Sequence, residues 1–236
     1  LTEIEIPKGP VTAVYSRLRE DIMTGALQPG SRVTIRDLCD RFEVGLSPMR
    51  EALNRIIAER LILQSDTRRL QIAPLTIKDL HELTKTRCWL NETGLRASIE
   101  NGNQAWEERV LLLGHRLTKL KGKTTRDPAW HEVHRDFHES LLSACGSRWL
   151  IEFCAQLFDL AERYRLVARL SAAHHPRSDD EHEQIADATV RRDADEAVEL
   201  LNNHFWKTAH LVEERLETDT GQDLPLSSAE SSSRRV

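Results

Sequence analysis

Four of the ten histidines fall on the apolar sides of helical stretches, and imidazoles in such places invite metal chemistry. His134 and His138 stand one helical turn apart, so both side chains share a face, and their stripe continues through Leu141, Leu142 and Cys145. His182 precedes Ile185 and Ala186 on a later helical stretch. His204 belongs to the stripe Ala197, Leu201, His204, Leu211. A lone histidine on an apolar face is ordinarily a hydrogen-bonded core residue. Four of them in one small bundle leave many donors and acceptors to satisfy, and a shared divalent metal ion satisfies them together.

Helices must position these residues. From Thr76 onward the pattern is helical without strand alternation, and breaks at Asn101-Gly102, Gly122 to Pro128, Gly146-Ser147 and His174 to Arg177 divide it. Six helices are predicted over 77–100, 103–121, 128–145, 147–172, 179–191 and 193–217. The front of the chain reads differently. Val14, Leu18, Ile22 and Met23 predict a helix from Pro10 that stops around Gly25, before the turn Gln28-Pro29-Gly30. A second helix starts at Thr34 as N-cap and carries Leu38, Cys39 and Phe42. A third begins at Ser47, with Pro48 at its first helical position and Met49, Ala52, Leu53, Ile56 and Ile57 on one side. Leu61 to Leu63 and Leu70 to Ala73 are short β-compatible runs about the polar tip Ser65 to Arg69. The fold class is therefore mainly α, a winged helix-turn-helix over 10–75 followed by an all-α helical bundle over 76–217. Residues 218–236, rich in serine and without a packing stripe, are expected to be disordered.

The chain has 236 residues, 39% hydrophobic and 30% charged, with a net charge of −5, which describes a globular protein and not a wholly disordered one. No apolar run approaches the length of about 18 residues that a membrane helix needs, and the first ten residues lack a secretory layout, so a cytoplasmic protein with no membrane partner is expected. Cys39, Cys88, Cys145 and Cys154 show no metal-knuckle or redox spacing and should be reduced thiols. Charge is unevenly spread: residues 1–75 hold eleven basic and ten acidic side chains, and all but one of the basic ones are arginine. Arginine suits bidentate contacts with phosphate and guanine. The front unit can read nucleic acid despite the acidic total.

Val14 to Leu75 resembles the N-terminal domain of the GntR family of bacterial transcription regulators. The resemblance is carried by Leu27-Gln28-Pro29-Gly30, Arg36-Asp37-Leu38, and above all Val44-Gly45-Leu46-Ser47-Pro48-Met49-Arg50-Glu51-Ala52-Leu53. It implies double-stranded operator DNA as partner, with Arg36, Ser47 and Arg50 as contacts. Two positions depart from the family pattern. Leu46 stands where many members carry arginine. Arg69 stands where the wing usually has glycine, and can enter a minor groove instead.

The rear of the chain looks like the FCD effector-binding domain of the FadR-type members, in its six-helix VanR-like branch. That family's metal site takes an acidic residue, a histidine four positions later, and one histidine on each of two later helices; Phe137-His138 matches its Phe-His pair. Here the first ligand is His134. The set His134, His138, His182, His204 shifts preference toward Zn²⁺, with Ni²⁺ or Co²⁺ as alternatives, and away from Mg²⁺ or Ca²⁺. Four neutral imidazoles cancel none of the ion's charge, which favours an anionic organic-acid effector. Arg87 occupies the family's effector-binding arginine position, although the usual glutamate four residues on is Asn91. The resemblance further implies a homodimer on a two-fold operator and, most commonly, a repressor released by a small carboxylate or sugar acid.

Two other readings use the same histidines. A metal-dependent hydrolase or lyase would need a general base, and Glu132, Glu139 and Glu183 are expected to point away; His131-Glu132-Val133-His134 is one residue short of the zinc-protease spacing. Alternatively the metal only braces the bundle.

Overall fold

The computed structural model describes residues 9–65, 69–120, 127–168 and 178–219. They fall into two compact units, one within Leu1–Leu75 and one over Thr76–Thr218.

In the first unit, α1 (Pro10–Met23) buries Val14, Leu18, Ile22 and Met23, as its period predicts. Gly30, at φ +77°, turns the chain into β1 (Arg32–Val33), a backbone angle that a side chain would strain. Next comes α2 (Ile35–Phe42), capped by Thr34. The Thr34 hydroxyl accepts from the Asp37 N–H, and the Asp37 carboxylate accepts from the Thr34 N–H, both at 3.1 Å. The helix-turn-helix is completed by α3 (Leu46–Ala58), which buries Met49, Ala52, Leu53 and Ile56 against α1 and α2. Its N-cap is Gly45 and not Ser47, so Pro48 is its third residue. Any first-turn position tolerates proline, because those N–H groups have no intrahelical acceptor. The wing strands β2 (Ile62–Gln64) and β3 (Leu70–Ile72) pair antiparallel. The sheet has a third strand that the sequence reading lacks: β1 pairs with β3, with Arg32 opposite Gln71 and Val33 opposite Leu70, in the order β1-β3-β2.

The second unit is all helix among its described residues: α4 (Ile77–Asn101), α5 (Gln104–Lys119), α6 (Pro128–Leu142), α7 (Arg148–Val167), α8 (Ser178–Val190) and α9 (Ala194–Asp219). Side-chain caps begin α4 through α7, at Thr76, Asn103, Asp127 and Ser147. α4 and α7 run antiparallel: the Tyr164 hydroxyl donates to Asp79 at 2.7 Å near one end, and Leu150 packs on Gly94 near the other. One core joins Leu95, Val110, Leu117, Phe137, Leu141, Ile185 and Leu201. The expected six helices are present, with α6 ending at Leu142 and α7 at Val167, short of the expected 145 and 172. The expected disordered segment falls almost wholly in 220–236, outside the described residues; its first two positions, 218 and 219, belong to α9. All four cysteines are free thiols.

Gly114 sets the approach of α8. A Cβ there would stand 3.2 Å from the Ala186 Cβ and 3.9 Å from the His182 carbonyl oxygen. Gly114→Val is expected to push α8 outward and lower stability by about 1–3 kcal/mol, read from the urea midpoint. An unchanged midpoint would mean that the α5–α8 contact yields freely.

Candidate metal centre and nucleic-acid interface

Three helices bring the four histidines together. α6 supplies His134 and His138, α8 supplies His182 and α9 supplies His204. Each is at most 5% exposed, and one ring nitrogen from each lies within 4.8 Å of the others. The His134 and His138 Nε2 atoms are 3.2 Å apart. Metal–nitrogen bonds of about 2.0–2.1 Å place neighbouring ligand atoms about 3.0 Å apart in an octahedron or about 3.3 Å in a tetrahedron, and opposite ones about 4.2 Å apart. The set therefore fits a divalent ion after a small inward movement of the most distant rings.

Electrostatics keeps the donors ready. Burial pushes the His134 and His138 pKa values well below the ordinary imidazole value, with Arg165 adding to the effect at His134 and His204 at His138, so both rings are neutral at pH 7. A neutral imidazole is the form that ligates. Around the rings lies a layer of partners that the sequence reading missed. The Glu181 carboxylate sits 2.9 Å from His204 Nδ1 and accepts from Lys207 Nζ at 2.8 Å, which holds the orientation of the His204 ring within the cluster. Glu162 Oε1 lies 3.8 Å from His134 Nδ1 and accepts from Arg165 at 2.7 Å, and Glu162 Oε2 lies 3.3 Å from His131 Nδ1. Burial opposes ionisation of Glu162, but the Arg165 charge and the His131 contact outweigh it and hold the carboxyl at about 2. Trp130 stacks on His134 with ring centres 4.4 Å apart. Glu181 is legible only as the neighbour of His182. Glu162 and Arg165 read in sequence as ordinary charged helix residues.

Arg87 on α4 is 8% exposed, its guanidinium carbon 4.0 Å above the Phe205 ring. Its Nε has no hydrogen-bond partner among the described residues. Burial lowers its pKa to about 10, with Glu162 opposing, so it remains a cation. Arg87, Asn91, His138, Cys154 and Phe158 line a narrow crevice of about 20 Å³, room for about one water. Asn91 turns its amide back to the Arg87 carbonyl at 2.9 Å, and Glu92 pairs with Arg96, so neither replaces the family's glutamate. Glu139, expected to point away, lines the rim of this crevice and lies 3.8 Å from Arg135. Of the five tryptophans only Trp130 is in ring contact with the cluster; Trp106 is core, its indole N–H donating to the Ser140 carbonyl.

In the first unit Arg36, Ser47, Arg50 and Arg69 are all exposed. Gly45, as N-cap, has no side chain to cap α3, so its first amides remain free to meet an anion. Leu46, 55% exposed, follows it. Arg69 lies at the foot of the wing loop, where the Ser65 N–H donates to its carbonyl at 3.0 Å. The tip residues 66–68 lie outside the described residues.

Residues 10–70 match the model for bacterial regulatory proteins of the gntR family, and residues 82–206 match the FCD domain. The HTH-type transcriptional regulator BphR of Paraburkholderia xenovorans is 38% identical over 86% of this chain and 84% of its own length. The HTH-type transcriptional repressor GlaR of Escherichia coli is 28% identical over 86% of this chain and 95% of its own. Among solved structures, Escherichia coli McbR/YncC superposes with a TM-score of 0.69 at 17% identity, covering 88% of this chain and 99% of that one, a likeness of fold. These relatives are regulators and not enzymes, which removes the hydrolase or lyase reading. No described helix is long and apolar enough to cross a membrane. The chain belongs to the GntR family of bacterial transcriptional regulators and carries an FCD domain behind its DNA-binding domain.

Proposed function

We propose that this regulator is a repressor whose bundle senses a small organic acid through a divalent metal, Zn²⁺ by preference and Ni²⁺ or Co²⁺ as alternatives. The observation that carries the proposal is the convergence of four buried imidazoles beside the buried cation Arg87. Nitrogen-only ligands favour these borderline ions over Mg²⁺ or Ca²⁺. A bound ion would offer open coordination positions to an effector carboxylate, and Arg87 would hold a second anionic group or the same one bidentately. Effector binding would then shift the balance between two arrangements of the DNA-binding units, by as much as its affinity differs between them. GlaR is a repressor by name, which supports the same sign here.

On DNA, the free start of α3 with Ser47 would meet the backbone, Arg50 would reach base edges, and Arg36 and the wing's Arg69 would flank them. A homodimer would match paired half-sites, acting in the cytoplasm where operators lie. Three exposed aromatics on the adjacent helices α4 and α7, Trp89 at 59%, Trp149 at 64% and Phe153 at 53%, support an interface on that side of the bundle.

The small free volume of the crevice favours a second reading, in which the metal is only a brace. Thermal unfolding against a panel of mono- and dicarboxylic and sugar acids, with and without chelator, separates the two. A sensor is expected to gain about 2.7 kcal/mol at a hundredfold excess of acid over Kd, and to lose that gain when the metal is stripped. A brace melts lower with chelator and responds to no acid. Indifference to both would refute a metal site altogether.

A further inference from the structure

The arginines of the first unit divide by what they touch. Arg19 pairs with Glu59 at 2.8 Å, Arg41 pairs with Asp21 at 2.6 Å, Arg17 lies over the Phe42 ring and Arg55 over the Tyr15 ring. These are fixed within the protein. Arg32 and Arg69 are exposed, and among the described residues neither side chain has an ion pair, yet both line one cleft of about 290 Å³ with Val33, Thr34, Ile35 and Leu70.

The strand register explains their meeting. Arg32 is directly opposite Gln71 in the β1–β3 pair, and Arg69, two residues before Gln71, projects on the same face. Like charges on neighbouring strands of one face repel and destabilise the sheet unless an anion lies between them. Among the described residues, no carboxylate lines the cleft. Asp37, the acidic residue of the first turn of α2, has its carboxylate turned to the Thr34 N–H, and the start of α2 adds its own positive field.

We propose that Arg32 and Arg69 form a phosphate clamp at the root of the wing, holding one backbone phosphodiester of duplex DNA. Arg32 lies outside the helix-turn-helix signature and, on this assignment, adds affinity without sequence preference. Arg69, from the foot of the loop, shares that phosphate and does not read a minor groove. The clamp rests on the DNA binding of the family and is independent of any metal or effector.

The test is fluorescence anisotropy over a salt series. The probes are a duplex selected by the wild-type protein from a random-sequence pool and a scrambled duplex of the same length. Arg32→Ala is expected to weaken binding to both duplexes by the same factor, Arg32→Lys to restore most of it, and Arg32→Ala with Arg69→Ala to make the slope of log K against log salt shallower by about 1. Wild-type affinity and slope in the double variant would overturn the clamp, as would a loss confined to the selected duplex, which marks a base contact. Failure of the wild-type protein to prefer the selected duplex would instead break the DNA-binding premise. Circular dichroism melting checks the fold, and the paired glutamine variants replace the alanines if those melt early.

Discussion

Replacing Arg50 with alanine is expected to remove operator recognition while leaving the fold and most non-specific DNA binding in place. Arg50 is exposed on α3, one turn beyond the glycine cap, while its neighbour Met49 is fully buried. The helix thus hides one side of the signature and presents the other. A bidentate arginine–guanine contact discriminates by about 1–3 kcal/mol, which is about five- to 150-fold in affinity for the preferred sequence. Arg50→Ala should therefore bring affinity for a selected duplex close to that for a scrambled one, with thermal stability unchanged because no described ion pair is lost. A change that weakened both duplexes equally would make Arg50 a phosphate contact instead. Its expected behaviour is the opposite of that of Arg32, and measuring the two side by side separates reading from holding.

Most of the architecture was legible because long amphipathic helices repeat their signal. Leu80, Leu83, Leu95 and Ile99 on α4, or Val110, Leu113 and Leu117 on α5, each restate the same buried face. What was missed is short or set by the chain's other parts. β1 has two residues, too few for alternation to show, and exists because Gln71 and Leu70 of β3 offer it a partner edge. The start of α3 was misplaced because Ser47-Pro48 is the stronger local cap signal. The backbone is instead already extended at Gly45, at φ −73° and ψ 166°, and Met49 N–H bonds to its carbonyl. At the candidate centre the four imidazoles were legible from spacing alone, whereas Glu162, Glu181 and Arg165 were not. A charged residue facing inward on a helix looks in sequence like one facing water. Only the packing of α6 on α7, and the contact of Glu181 on α8 with His204 on α9, shows that these charges are covered. Arg87 was legible through family resemblance and not through pattern, since polar Thr84 and Asn91 flank it on the buried face of α4 and leave no clean apolar stripe for it to interrupt.

Substituting His182 with alanine is expected to produce the largest change in the bundle, and its form distinguishes sensor from brace. His182 is fully buried where α8 faces the cluster, its ring centre 4.5 Å from that of His204 and 5.2 Å from that of His134. Loss of a partner behind a metal ligand typically weakens metal binding by about 10- to 100-fold, so loss of a ligand itself should exceed that. If the ion is present at a thousandfold over its Kd, the wild-type bundle carries about 4.1 kcal/mol of linked stability, and the variant should forfeit most of it. The loss must vanish when both proteins are compared in chelator, because linkage acts only through bound metal; the remaining difference then measures the cavity left by the ring. A metal-dependent difference accompanied by a retained cooperative fold and a lost response to acids identifies a sensor. Collapse of the fold at 25 °C identifies a brace. Equal chelator-induced shifts in the two proteins would show that His182 is no ligand, and the centre would then reduce to His134, His138 and His204, with His134 and His138 adjacent on one helix and His204 held by Glu181.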